Sequence, residues 1–134
     1  MKKEEPQVLV MPLNSKVAIP ELRHEGDAGF DIRSTEERTL APMEIALIPT
    51  GLAMEIPKGY EGKIESKSGL ALAGLIMHGG VINSNYQGPI QVIVQNLSHQ
   101  KYLIKEGDQI AQIMFLPVLT KPLVCTKAFT KETT

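Results

Sequence analysis

Four stretches of this chain combine residue types that could act on a ligand. Ser66-Lys67-Ser68-Gly69-Leu70-Ala71 places a cation, a hydroxyl and a glycine where a loop runs into a short helical pattern. Side chains and backbone N–H groups in that order can cradle an anion; an ordinary helix cap at Ser68 is the plainer alternative. Asp27-Ala28-Gly29-Phe30-Asp31-Ile32 carries Asp31 in an alternating stretch, where a carboxylate either serves a site or is simply an exposed charge. Gly79-Gly80-Val81-Ile82-Asn83-Ser84-Asn85-Tyr86-Gln87-Gly88 sets a polar turn and an aromatic residue between glycines. Gly107-Asp108-Gln109-Ile110-Ala111-Gln112-Ile113 is a turn entering a strongly apolar strand. No Ser-His-Asp set, His-Glu-x-x-His or Walker-type loop competes with these stretches. His24, His78 and His99 are scattered and read as surface or structural residues.

The elements that must position these residues are short and β-rich. Gln7 to Leu13 reads as an apolar strand, and Phe30 and Ile32 alternate with Asp31 and Arg33 as in a half-buried one. Arg38 to Pro42 and Glu44 to Pro49 continue the series, with Pro49-Thr50-Gly51 as punctuation. Leu52 to Ile56 and Gly62 to Glu65 flank Pro57-Lys58-Gly59-Tyr60-Glu61, which suggests a hairpin connection. An apolar pair, the Asn/Gly-rich turn and β-branched Pro89-Ile90-Gln91-Val92-Ile93-Val94 suggest a second, central hairpin. Gln100 to Lys105 and Gln109 to Leu116 complete the strands. Ser68 to Gly74 is the only helical candidate, held by its glycines to about two turns at most. Many short strands with almost no helix predict an all-β barrel or sandwich.

The 134 residues are read as one domain, 1–134, with an N-terminal arm over 1–6 and a C-terminal arm over 121–134. A net charge of −1 offers no global attraction for nucleic acid or an anionic membrane. The lone Cys125 excludes an intrachain disulfide and a cysteine zinc site. No apolar run approaches the ~20 residues of a membrane span, and no secretory signal opens the chain. The expectation is a soluble intracellular protein of cytoplasm or nucleus, or a virus-encoded one, with neither nucleic acid nor membrane as partner.

Taken in order, the four stretches resemble signature motifs of the trimeric dUTP diphosphatases (dUTPases). Asp27 to Ile32 is similar to Ala-Gly-Tyr/Phe-Asp-Leu, and Lys67 to Ala71 to Arg-Ser-Gly-Leu-Ala, with Lys for Arg. The central stretch is similar to Gly-Val-Ile-Asp-x-x-Tyr-x-Gly, with Asn83 in place of Asp. Gly107 to Ile113 is similar to Gly-Asp/Glu-Arg-Ile-Ala-Gln-Leu/Met, with Gln109 where Arg is common. The fifth family motif, Arg-Gly-x-Gly-Gly-Phe-Gly-Ser-Thr-Gly, finds no match before the sequence stops at Thr134.

The resemblance, which spans roughly Pro20 to Thr130, implies a dUTPase-like β-barrel or distorted jelly roll with one short helix. It implies binding of dUTP and dUMP, hydrolysis of dUTP to dUMP and pyrophosphate, and a homotrimer whose sites combine motifs from different subunits. Asp31 would reach Mg²⁺ through water, as suits a metal that holds its hydration shell tightly. Lys67, Ser68, Gly69 and Gln112 would hold phosphates; Gly80, Ile82 and Gln91 would line the uracil pocket. Tyr86 would pack under the sugar and leave no room for a ribose 2′-hydroxyl. Asn83 stands at the catalytic general base, where an amide can accept a hydrogen bond but not a proton near pH ~7. The sequence therefore implies a dUTP-binding member with strongly impaired hydrolysis. Its rivals are a non-catalytic, dUTPase-derived binding or regulatory protein and a dCTP deaminase of shared fold, for whose catalytic glutamate no matching pattern is present.

Overall fold

The computed structural model describes residues 5–22 and 24–130. Among these the chain forms ten strands and one short helix, in antiparallel sheets. The strands are β1 (Leu9–Pro12), β2 (Phe30–Arg33), β3 (Arg38–Leu40), β4 (Ile45–Glu55) and β5 (Tyr60–Ser66). After α1 (Ser68–Leu72) come β6 (Leu75–His78), β7 (Val81–Ile82), β8 (Pro89–Asn96), β9 (Tyr102–Ile104) and β10 (Gln109–Pro117). One sheet has the order β1-β4-β8-β6, a second β2-β10-β5-β7, and β3 pairs with β9 alone. No helix among the described residues is long and apolar enough to cross a membrane.

Alternation explains the core. Ala46, Ile48, Leu52 and Met54 of β4 and Ile90, Val92 and Val94 of β8 are buried. Facing them from the second sheet are Ile32, Ile64, Ile110, Ala111 and Ile113. With a period of two, one side of most strands enters this core while the other faces out, and Ile110 and Ala111 are both buried beside the register shift of β10 against β2. Ile45, Leu47 and Gln91 thus stand on the outer face of the first sheet. Residues 121–130 carry no helix or strand and are exposed, while 131–134 of the expected C-terminal arm and 1–4 of the expected N-terminal arm lie outside the described residues.

Three connections differ from the sequence reading. Pro49-Thr50-Gly51 does not separate two strands, because β4 runs through it as one element. The ladder to β8 breaks register between Pro49 and Ala53, and β1 pairs with the remainder from Leu52 to Glu55. A proline, which cannot donate to a ladder, is tolerated at such an irregularity. Buried Thr50 there donates its hydroxyl to Ile90 O at 2.7 Å. Second, β4 and β5 belong to different sheets, so residues 57–59 form a crossing between layers and not a hairpin. Third, β7 pairs with β5 while β8 pairs with β4 and β6. The hairpin is formed by β6 and β8, and residues 79–88 are its long loop, folded over to add β7 to the other sheet.

Candidate active site

The first cluster lies on the second sheet. Its order brings Asp31 of β2, Gln112 of β10 and Glu65 of β5 side by side, since Gln112 pairs with Asp31 on one edge and Glu65 on the other. Directly opposed residues of antiparallel strands share a face, so these three polar side chains form one row. Lys67, immediately after β5, ion-pairs with Asp31 on β2 and so bridges across β10. The Lys67 side chain is 24% exposed and that of Asp31 15%, so both are part-buried. Glu65 has a different partner, Lys63 Nζ at 3.2 Å.

Gln112 is held from two sides. Its Nε2 donates to Ser66 O at 3.2 Å, and a Cβ added at Gly29 would stand 2.7 Å from its Oε1. Glycine before Phe30-Asp31 therefore has a packing reason, because any side chain would displace Gln112. Ser66 also accepts from Met77 N through its hydroxyl at 3.0 Å, tying the start of α1 to β6. Helix α1 itself is a single turn with Lys67 as N-cap and no side-chain cap. Ser68 is its first residue and not its cap, which corrects the plainer sequence reading. Ser68 and Gly69 are exposed, and nothing lies within 4 Å of a Cβ built at Gly69.

The second cluster is the loop over 79–88. Gly79 and Gly80 take φ of +63° and +103°, a left-handed region that side chains rarely enter. Gly80 O accepts from Ile64 N at 2.8 Å, and a Cβ at Gly80 would lie 2.5 Å from Ile64 O. The backbone of the loop thus lies directly on β5. Ile82 is half-buried opposite Gly62. Asn83 is exposed, and its carbonyl accepts from Tyr86 N at 3.0 Å to close the turn. Tyr86 donates its hydroxyl to Pro89 O at 2.6 Å and packs where a Cβ at Gly88 would meet it at 2.9 Å. The ring is thereby fixed in direction while 44% exposed.

The chain brings Asp31, Lys67 and Gln112 together, with Ser68 and Gly69 directly following Lys67, and separately assembles Gly80, Ile82, Asn83 and Tyr86. Gln91 joins neither, being exposed on the outer face of β8 opposite Pro49. A cleft of about 930 Å³ beneath the loop over 14–22 includes Asp31 with Lys16, Arg33, Thr35 and Gln109 but none of the other candidate residues. The motif clusters, unlike the cleft, hold their side chains by specific bonds, and the cleft is the space under that overhanging loop. The sequence did not single out Ser66 or the packing of Gly29 against Gln112. The signal available was a glycine one residue before a strand.

Taken together, the jelly roll carries a polar row with a paired cation and carboxylate and, assembled separately from it, a glycine-led loop on β5. The chemistry of these two clusters suits a phosphorylated ligand. A family profile described as dUTPase matches residues 15–134. The chain is similar to the deoxyuridine 5′-triphosphate nucleotidohydrolase of Clostridium novyi, 43% identical over 121 residues, covering 85% of this chain and 82% of that protein. In structure it is similar to a mutant dUTPase from phage phi11 of S. aureus, with a TM-score of 0.87 and 29% identity over 93% of this chain and 99% of that one. That structure is described as revealing the coordination of a structural Mg(II) ion. A mutant dUTPase of Staphylococcus bacteriophage 80alpha with dUpNHpp has a TM-score of 0.84 and 27% identity, covering 95% of this chain and 92% of that one. The chain belongs to the dUTPase family, a family of deoxyuridine triphosphate nucleotidohydrolases sharing this jelly-roll fold.

Proposed function

We propose that this family member binds dUTP and dUMP and, with Asn83 at the base position, hydrolyses dUTP to dUMP and pyrophosphate far more slowly than an aspartate-bearing chain. The observation that carries this reading is the fixed frame of the 79–88 loop. Gly80 is tethered to Ile64, Tyr86 to Pro89, and Asn83 sits between them on a closed turn. A nucleoside seated on Gly80 and Ile82 would meet backbone groups at its base edge and the Tyr86 ring beneath its sugar. The ring leaves little space for a 2′-hydroxyl, so dUTP is preferred to UTP. Asn83 can hold the sugar and an attacking water by hydrogen bonds, but its amide takes no proton. Loss of a positioned base typically costs ~10²–10⁴ in rate.

The phosphates fall to Lys67, Ser68, Gly69 and Gln112. Asp31 suits Mg²⁺ in one way only. Among the described residues no group of three or more acidic, histidine or cysteine side chains could cage a metal. A single carboxylate beside a phosphate site nevertheless fits an ion that keeps its waters and takes its remaining ligands from substrate. When bound there, the metal neutralises phosphate charge during attack at the α-phosphorus. The two clusters and the outlying Gln91 are compatible with sites completed across subunits of a homotrimer. The more than half-exposed Ile45 and Leu47 on the outer face of the first sheet are apolar surface that such assembly could cover.

The test is Asn83→Asp, followed by pyrophosphate release. Hydrolysis should rise at least roughly tenfold while dUMP affinity changes little, because the amide already accepts a ground-state hydrogen bond and only the transition state needs a proton acceptor. Mass spectrometry excludes deamidation of Asn83 in the parent. An unchanged rate removes Asn83 from the base position.

A further inference from the structure

Lys67 and Asp31 were each expected to serve a different part of the ligand, the lysine a phosphate and the aspartate a metal. In the structure they serve each other. We propose that this ion pair is a latch that couples metal binding to polyphosphate binding, so that each ligand takes hold well only in company of the other. This inference rests on the reading of the site as one for a metal–dUTP complex.

The surroundings leave the pair few substitutes. Gln112, between them in the cross-strand row, spends one of its two amide N–H groups on Ser66 O and carries no charge, so it cannot replace the lysine as a counter-charge to Asp31. Glu65, the other carboxylate of the row, is engaged by Lys63 and stands on the far side of Gln112 from Asp31. A cation arriving alone at Asp31 must therefore displace the Lys67 ammonium and leave it without a counter-charge at a part-buried position. A polyphosphate arriving alone at Lys67 must draw it from Asp31 and lie beside a bare carboxylate of like charge. When both arrive, partners are exchanged: Asp31 gains the cation, Lys67 gains the phosphate, and no charge is left unpaired. The disruption of one ion pair is then shared by two binding events, which is a positive coupling, and by linkage it is equal in both directions.

Free metal and triphosphate also associate in solution, so the latch is read from variants and not from the parent alone. Lys67→Met frees Asp31, and Mn²⁺ by itself, followed by electron paramagnetic resonance, should bind at least about fivefold tighter than to the parent. Lys67→Arg keeps a cation on Asp31 and should restore weak binding of the lone metal. In the converse arm, Asp31→Asn should tighten metal-free dUpNHpp, measured by calorimetry in chelator, at least about fivefold. In both unpaired variants the factor by which metal improves dUpNHpp affinity should shrink towards that of free solution. Lone-metal and metal-free affinities equal to the parent's in Lys67→Met and Asp31→Asn, with dUpNHpp still binding the parent in the presence of metal, overturn the latch. If Lys67→Met does not fold, the Asp31→Asn arm decides alone. Failure of the parent to bind dUpNHpp even with metal overturns the reading of the site itself.

Discussion

Replacing Gly80 by alanine separates two ways in which a glycine can be required. At φ of +103° any side chain is strained, and Gly107 at +89° supplies a control in which nothing lies within 4 Å of an added Cβ. Gly107→Ala should therefore cost only the left-handed backbone term, about 1–2 kcal/mol. At Gly80 the new Cβ would also stand 2.5 Å from Ile64 O, a contact that side-chain flexibility cannot relieve because the obstacle is backbone. Relief requires the loop to lift from β5, which breaks the 2.8 Å bond from Ile64 N to Gly80 O and leaves a donor beside the core. That adds about 1–3 kcal/mol, for a total of ~3 kcal/mol. At roughly 2.1 cal/mol/K per residue, this corresponds to a fall in Tm of ~10 °C for a chain of this length, against ~5 °C for the control. Calorimetric unfolding at fixed protomer concentration measures both, and dUMP titration should show binding lost in Gly80→Ala but kept in Gly107→Ala. Equal Tm shifts for the two variants would refute the claim that the loop backbone rests on Ile64.

The parent should sediment as a homotrimer at micromolar concentration, and Leu47→Glu on the outer sheet face should reduce the mass; a stable parent monomer would end that reading. Asn96 is fully buried and donates to Leu40 O and Gln100 O while accepting from Ser98, so Asn96→Ala should cost about 2–4 kcal/mol in chemical denaturation; a loss below ~1 kcal/mol would contradict this. The Tyr102 phenol is pushed above its ordinary value of 10.0, first by burial and then by the Asp108 carboxylate. Its stabilising effect is complete below about pH 10 and is lost as pH rises through the higher folded value, so Tyr102→Phe should flatten part of the alkaline fall in stability.

Sequence periodicity located the strands because burial of one face leaves a period of two, as in Phe30 to Arg33 and Ile90 to Val94. It did not identify their partners. Alternation tells which side of a strand is apolar but carries no information on which strand lies beside it, so β7 and β8 read as a hairpin though they belong to different sheets. Pro49-Thr50-Gly51 misled for a related reason: proline and glycine end most strands, but here a register break and the Thr50 hydroxyl absorb them. Within the site, Gly80, Tyr86 and Gln112 were legible as motif members. The Lys67–Asp31 pair was not, since it depends on β10 lying between β2 and β5.

The loop over 79–88 leaves one sheet at β6, contributes β7 to the other, and returns to the first at β8. It is a clasp across the seam between the layers. A ligand held by it would act as a rivet, since the sheets could not part without first releasing what the clasp holds. Occupancy should then lengthen the lifetime of the folded chain by slowing its opening, more than it hastens its formation, because both sheets and the clasp must be assembled before the ligand has anything to grip.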